Sequence, residues 1–371
     1  MMLMRWPLGD YNQLLPVLAF SLANPSDNKP HQQAARSMYL EYFRHAVKLD
    51  VMVRQDANSD FAQLVNEVRD RTLTEDHAND LNSRCVTNPA YDASDMHDGS
   101  LVGIMASNDD RSAFNDVMAY RKTSPAEPGY CLHANIMARD GSALSDPELE
   151  FLHTVGDGFT EHIPFRLFVS RGSPVMLTQN VAVRGGVANG SRGTIVGFVW
   201  PIGYDPSQEP VQEYCIPGTT NVLGYFRVPT HMPERILIYI PEGTFEPFAG
   251  LEPFVWPLQY LIRKDVKTNL RIVNGGVKLR RTFKVDAPAM VVAFGVTVYK
   301  SQGSTFDNVY INLTAARTLA LEQFVIISRV RTLASVHMAK PVTVAHLRTA
   351  KPAYLTVELL RIDALAQATE V

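Results

Sequence analysis

The sequence predicts an α/β fold interrupted by a β-rich insert, and three observations lead to that expectation. Leu101 to Ala106 is a short apolar run that meets Ser107-Asn108-Asp109-Asp110 and an amphipathic stretch to Tyr120, the pattern of a buried strand feeding a capped helix. From Gly156 to about Val285, Gly and Pro punctuate short β-branched runs such as Thr194 to Val199 and Ile236 to Ile240, which reads as short strands between turns. Beyond that stretch, Ala289 to Val298 and Val309 to Leu313 read again as central strands.

Taken in order, the first clear helix lies within Phe61 to Arg84. Phe61, Leu64, Val65 and Val68 recur at helical spacing, and Thr74-Glu75-Asp76 resembles a cap that opens a second helix toward Leu81. The strand and helix of residues 101–120 follow, then the insert. At the far side, Leu319 to Ile327 reads as a helix that delivers Ser328-Arg329. No internal repeat or low-complexity tract accompanies these elements.

Length and composition narrow the function classes. A chain of 371 residues is sized for two or three domains, and 46% hydrophobic residues with 20% charged argue against disorder over most of its length. The net charge of −3 excludes a protein that coats nucleic acid by bulk charge. Its distribution is uneven: residues 50–150 carry 19 acids and 8 bases, so the remainder is +8. Arg263 to Lys284 holds eight bases against the single acid Asp265, a candidate electrostatic footprint or simply a solvated basic hairpin. Cys85, Cys131 and Cys215 form no CxxC pair, which points away from structural zinc and disulfides. The run Ala287 to Tyr299 is too short to span a bilayer, and Arg5 with Leu14 to Ala23 imitates a secretory signal that Asp10 and Pro16 interrupt. No membrane partner and no secretion are expected.

No complete catalytic site can be assembled from familiar motifs. Gly185 to Arg192 has the glycine spacing of a phosphate loop but lacks its Lys, so a turn-rich hairpin is the better reading. No apolar strand ends in Asp-Glu, and no HExxH or GxSxG occurs. Four stretches are nevertheless ordered together: Gly9 to Val17 (GDYNQLLPV), Val53-Arg54-Gln55, Gly295 to Thr305 (GVTVYKSQGST) and Ile327-Ser328-Arg329-Val330. Val175 to Asn180 and Asn189 to Thr194 fall between the second and the third.

In this order the stretches resemble the PIF/RecD-like DNA helicases of superfamily 1, particularly those of Helitron-type mobile elements. Residues 9–17 are similar to the family's third helicase motif, with Leu15 in place of a proline. Arg54-Gln55, with Asp60-Phe61 beyond, is similar to the fourth motif, the run from Gly295 to Thr305 to the fifth, and Ser328-Arg329 to the sixth. The resemblance implies a RecA-like second lobe with a small β-barrel insert and a remnant of the first lobe. The boundaries it suggests are 1–50 for the remnant, 51–155 and 288–371 for the second lobe, and 156–287 for the insert.

The same resemblance implies the chemistry. ATP and Mg²⁺ serve the complete family enzyme, a 5′-to-3′ DNA helicase, and hydrolysis there needs positive charge against the γ-phosphoryl group. Gln13 would sense that group, Arg54 and Arg329 would be arginine fingers, and Gly303 would let backbone approach the nucleotide. Thr297, Lys300, Ser301 and Gln302 would contact single-stranded DNA, and so would Arg280 and Arg281 of the basic run. Family roles in DNA repair, recombination and telomere maintenance imply a nuclear location. The phosphate loop and the acidic second motif are missing, so a truncated helicase is expected, with no tight nucleotide binding and no ATP hydrolysis by this chain alone. The alternative is an ATPase-dead nucleic-acid-binding or regulatory protein derived from a helicase.

Overall fold

The computed structural model describes residues 24, 29–47, 53–92, 94, 101–157, 160, 163–215, 219–259, 262–268, 281–314 and 320–369. The third-motif stretch with Gln13, and Arg280, lie outside them. The chain divides into two compact units: the residues up to Ala106 together with those from Val298 onward form unit 1, and Ser107–Thr297 forms unit 2.

Unit 1 opens with α1 (Pro30–Tyr42), which has proline in its first turn, where a missing N–H costs no hydrogen bond. Helix α2 (Asp60–Asp70) starts where the Ser59 hydroxyl accepts the Ala62 N–H at 3.1 Å, and it stops at Arg71, whose φ of 67° is left-handed. It buries Phe61, Ala62, Leu64, Val65 and Val68, the face that the spacing predicts. The expected second helix is α3 (Glu75–Ser83), capped by Thr74. Next, β1 (Leu101–Met105) is buried at every residue, as a strand covered on both faces must be.

Unit 2 then begins with α4 (Asn108–Arg121), capped by Ser107, and continues through β2 (Gly129–His133), β3 (Asn135–Ala138) and α5 (Asp146–Thr154). The strand-rich part comprises β4 (Arg166–Val169), β5 (Pro174–Leu177), β6 (Arg192–Val199), β7 (Val211–Cys215), β8 (Val222–Arg227), β9 (Arg235–Tyr239) and β10 (Val255–Gln259). It closes with β11 (Ile262–Thr268), β12 (Arg281–Ala287), β13 (Met290–Val292) and β14 (Gly295–Thr297). Strand orders are β10-β9-β6-β5-β13, β4-β2-β8-β7 and β11-β12-β3. The barrel expectation needs correction: among the described strands these sheets are open. Closure would require the two ends of the five-stranded sheet to pair, but β10 carries Pro257, which has no N–H to donate, and β13 is three residues long.

The core of unit 2 explains its packing. Tyr120, Phe168 and Phe226 form edge-to-face contacts at 4.9–5.6 Å, beside fully buried Ile195, Ile236 and Leu177. Gly193 lets β6 and β9 approach: a Cβ there would lie 2.6 Å from both the Ile238 side chain and the Tyr239 carbonyl. The Gly185 to Arg192 stretch belongs to the connection between antiparallel β5 and β6, with Gly186 and Gly190 at positive φ.

Unit 1 resumes with α6 (Val298–Ser301), β15 (Asn308–Ile311), α7 (Ala320–Ile327), β16 (Val336–Met338), α8 (Val344–Leu347) and α9 (Ala353–Thr369). Strand β15 pairs in parallel with both β1 and β16, and α2 packs on α7. A buried parallel sheet with flanking helices is the α/β architecture predicted. The Tyr39 hydroxyl of α1 donates to Glu358 of α9 at 2.7 Å, which ties the first described helix to the last. Among the described residues no helix is long and apolar enough to cross a membrane.

Candidate anion-binding arginine site

In unit 1, three stretches far apart in sequence meet around Arg54. Arg54 and Gln55 occupy the bend that precedes α2, stabilised by the Ser59 N–H donating to the Asp56 carbonyl at 3.0 Å. Arg54 Nε donates to Thr305 Oγ1 at 2.9 Å, and Nη1 to the Ser328 carbonyl at 2.7 Å. Gln55, buried, donates to the Val330 carbonyl at 2.6 Å and more weakly to that of Ser328 at 3.4 Å. The fourth, fifth and sixth motif stretches are thus joined by side-chain bonds across more than 250 residues of sequence.

Local structure explains why Ser328 and Arg329 sit there. Helix α7 buries Leu321, Phe324, Val325, Ile326 and Ile327, so it lies within the hydrophobic interior and its C-terminal end carries Ser328-Arg329 inward. Arg329 is only 2% exposed: Nε donates to the Val325 carbonyl at 2.7 Å and Nη2 to Ser328 Oγ at 2.6 Å. Its own carbonyl accepts the Phe306 N–H at 2.9 Å, which couples the end of α7 to the segment after α6.

The electrostatics distinguish Arg54. Among the described residues its hydrogen-bond partners are a hydroxyl and a carbonyl, both neutral. Burial, and then the like charge of Arg331, hold its guanidinium below the usual arginine value. The group still carries its charge at neutral pH. A cation that is half-buried, beside a second cation and bonded only to neutral oxygens is well suited to a phosphate or carboxylate, whose charge would relieve both penalties.

The other predicted residues are placed as follows. Thr297 ends β14, half-buried. Lys300 and Gln302 are exposed on and just after α6, as is Tyr299. Ser301 is fully buried and its hydroxyl donates to the Val298 carbonyl at 2.7 Å, so its side chain faces the turn and not the solvent. Gly303 has φ +86°, and a Cβ there would meet no atom within 4 Å, so the backbone is open to close approach. Arg281 opens β12 opposite Thr268. Sequence reasoning left Thr305 and Arg331 out of the site. Both were within reach, since Thr305 ends the fifth-motif stretch and Arg331 repeats the cation two residues after Arg329.

No protein-family model matches the chain, and no curated protein matches it by sequence. Solved structures do. A Pif1 helicase from Bacteroides, in complex with ADP-AlF3 and single-stranded DNA, matches with a TM-score of 0.55 and 17% identity over 95% of this chain and 65% of that one. Pif1 helicase from Candida albicans matches with a TM-score of 0.54 and 14% identity over 85% and 60%. A structure of two coordinating Pif1 helicases at forked double-stranded DNA gives 0.51 and 16% over 91% and 62%. The chain therefore shares the α/β fold of these Pif1 helicase structures, and it spans less than two thirds of the length of each of these chains.

Proposed function

We propose that this chain is the C-terminal portion of a Pif1-like, ATP-dependent 5′-to-3′ DNA helicase, in which unit 1 presents Arg54 and Arg329 to the phosphates of a nucleotide held mainly by residues outside this sequence. The observation that carries the reading is the convergence of Arg54, Thr305 and Ser328, because it gathers an uncompensated cation from three separate motif stretches. Hydrolysis needs such charge on the γ-phosphoryl oxygens, and an arginine fork matches their geometry. ATP with Mg²⁺ would supply the phosphoryl group, and on this chain Arg54 and the open backbone at Gly303 fit its terminal phosphates, while Arg329, buried and donating to Val325 and Ser328, would have to turn from those bonds to reach them. Support for a nucleotide and a DNA strand also comes from the Bacteroides neighbour, which holds ADP-AlF3 and single-stranded DNA.

In this reading the strand is gripped through phosphates by exposed Lys300 and Gln302, by Thr297, and by Arg280 and Arg281, so binding is insensitive to base sequence and weakened by salt. The inward bond of Ser301 gives it a different task, to shape the turn that presents Lys300.

The test joins this chain to a Pif1-type first lobe and measures DNA-stimulated ATP hydrolysis and nucleotide affinity separately. Arg54→Ala and Arg329→Ala should each remove most hydrolysis and change affinity less. Equal loss of both quantities would overturn the assignment of transition-state roles. One observation favours the second reading, an ATPase-dead DNA-binding or regulatory protein: the Arg329 guanidinium is buried and donates to Val325 and Ser328 within the fold. Salt-sensitive binding to single-stranded DNA by residues 1–371, with the grafted lobe restoring no hydrolysis, would select it.

A further inference from the structure

In unit 2 the loop between β9 and β10 builds a surface that the helicase reading does not use. Phe245, Phe248 and Trp256 form a corner of rings: Phe245 and Phe248 stand 5.1 Å from Trp256 at 82° and 86°, and 6.2 Å from each other at 49°. Two walls are anchored. Phe245 and Trp256 pack on the hydrophobic core, and the Phe245 ring crowds Gly243, where a Cβ would come within 2.4 Å of it. The third wall, Phe248, is 38% exposed, a large apolar ring left at the surface.

The charge around the corner is predominantly negative. From Ile236 to Ile262 the sequence carries three acids, Glu242, Glu246 and Glu252, and no Lys or Arg. All three glutamates are exposed, and the supporting turn at Val183–Gly185 adds the single cation Arg184. Among the described residues no cation lies over these three rings. Aromatic faces attract cations, and carboxylates repel the phosphates of a nucleic acid. Strand β10 is the edge of its sheet, but Pro257 lacks an N–H, so recognition by strand addition is disfavoured and side-chain contact is left.

We propose that this corner is a docking site for a lysine- or arginine-rich segment of a partner protein, with one cation seated on the rings and its neighbours paired with the three glutamates. A lone ammonium would leave two of the carboxylates unmatched, whereas a basic segment satisfies all three.

The test titrates the full chain, by calorimetry, with a ten-residue lysine-rich peptide and a glutamate-rich peptide of equal length. The lysine-rich peptide binds and the other does not. Phe248→Leu keeps the apolar bulk but loses the ring, and should weaken binding about two- to fivefold, while Phe248→Tyr retains it. Glu242→Gln, Glu246→Gln and Glu252→Gln together weaken binding further and flatten its salt dependence. All these positions are exposed, so unchanged thermal unfolding confirms intact variants. Undiminished binding by Phe248→Leu or by the triple variant overturns the proposal. So does a single-stranded oligonucleotide that competes with the peptide on the parent chain but not on Phe248→Leu, since that would assign the corner to nucleic acid.

Discussion

Two arginines, Arg54 of unit 1 and Arg111 of unit 2, face opposite circumstances. Arg111 is 5% exposed and pairs with the equally buried Asp157, while Ser112 bridges to the same carboxylate at 3.1 Å. Arg54 is half-exposed and bonds to a hydroxyl and a carbonyl, with Arg331 as its charged neighbour. A buried arginine matched by a carboxylate has its charge satisfied within the fold and serves as structure. One held by neutral oxygens beside another cation has its direction fixed and its charge still available. The difference separates scaffold from candidate chemistry without reference to any motif.

The comparison breaks first at Arg111. Arg111→Ala or Asp157→Ala should each destabilise the chain by about 3–5 kcal/mol in urea unfolding, because each leaves a buried charge uncompensated. Replacing both together, Arg111→Met with Asp157→Leu, should recover most of that loss. A single variant with an unchanged midpoint would mean that the pair is solvated.

A smaller effect is expected from Asp116, on the same helix as Arg111. Burial raises its carboxyl to about 6 against the opposing pull of Arg166, with Asp157 adding to the rise. Burial also pushes His133 down to about 4, reinforced by His153 stacked on it at 4.1 Å and by Arg166. Between pH 4 and 6 the folded state holds more proton than the unfolded at Asp116, so that group lowers stability as pH rises. At His133 the unfolded state holds more, so stability rises with pH, and the two slopes offset each other. Asp116→Asn removes one of them. The variant should match the parent near pH 4 and exceed it by about 2 kcal/mol near pH 6 in urea unfolding. A parent curve that already rises steeply across this window, unaltered by the substitution, would remove Asp116 from the balance.

How much of this was legible in sequence depended on the range of the signal. Helix α2 and strand β1 were readable because their apolar spacing and caps are local, and Ser59 and Ser107 sit where capping rules put them. Arg54, Gln55 and Ser328-Arg329 were singled out only by order along the chain. Nothing in periodicity brings residue 54 to residue 305; that contact is made by the parallel pairing of β1 with β15 and the packing of α2 on α7. The open sheets of unit 2 were missed for a similar reason, since runs of short strands between turns look alike whether or not their edges meet. The Arg111–Asp157 pair was invisible because neither residue belongs to a pattern. Ser301 shows what residue type alone leaves out: its type suits phosphate contact, and its position in the helical turn directs the hydroxyl to Val298.

Arg329 lies between the two extremes. Arg329→Ala would remove donors from the Val325 carbonyl and Ser328 Oγ within a buried turn, although Ser328 Oγ itself also donates to Val325 at 3.0 Å and limits the damage. A loss of about 1–2 kcal/mol is expected in urea unfolding. A loss as large as that of Arg111→Ala would place Arg329 with the scaffold.

The smallest stability effect should be at Arg54, and there the comparison is sharpest. Arg54→Ala gives up two hydrogen bonds but also relieves a desolvated charge and its repulsion from Arg331, so the unfolding free energy should change by less than about 1 kcal/mol. With a Pif1-type first lobe supplied, the same substitution should lower ATP hydrolysis by about 10³-fold or more, the range of a lost arginine finger. Arg54→Lys keeps the charge without the planar fork and should fall between the two. If Arg54→Ala instead unfolds the chain as readily as Arg111→Ala, the convergence of Thr305 and Ser328 on its guanidinium is a structural clamp, and the neutrality of its partners carries no functional meaning.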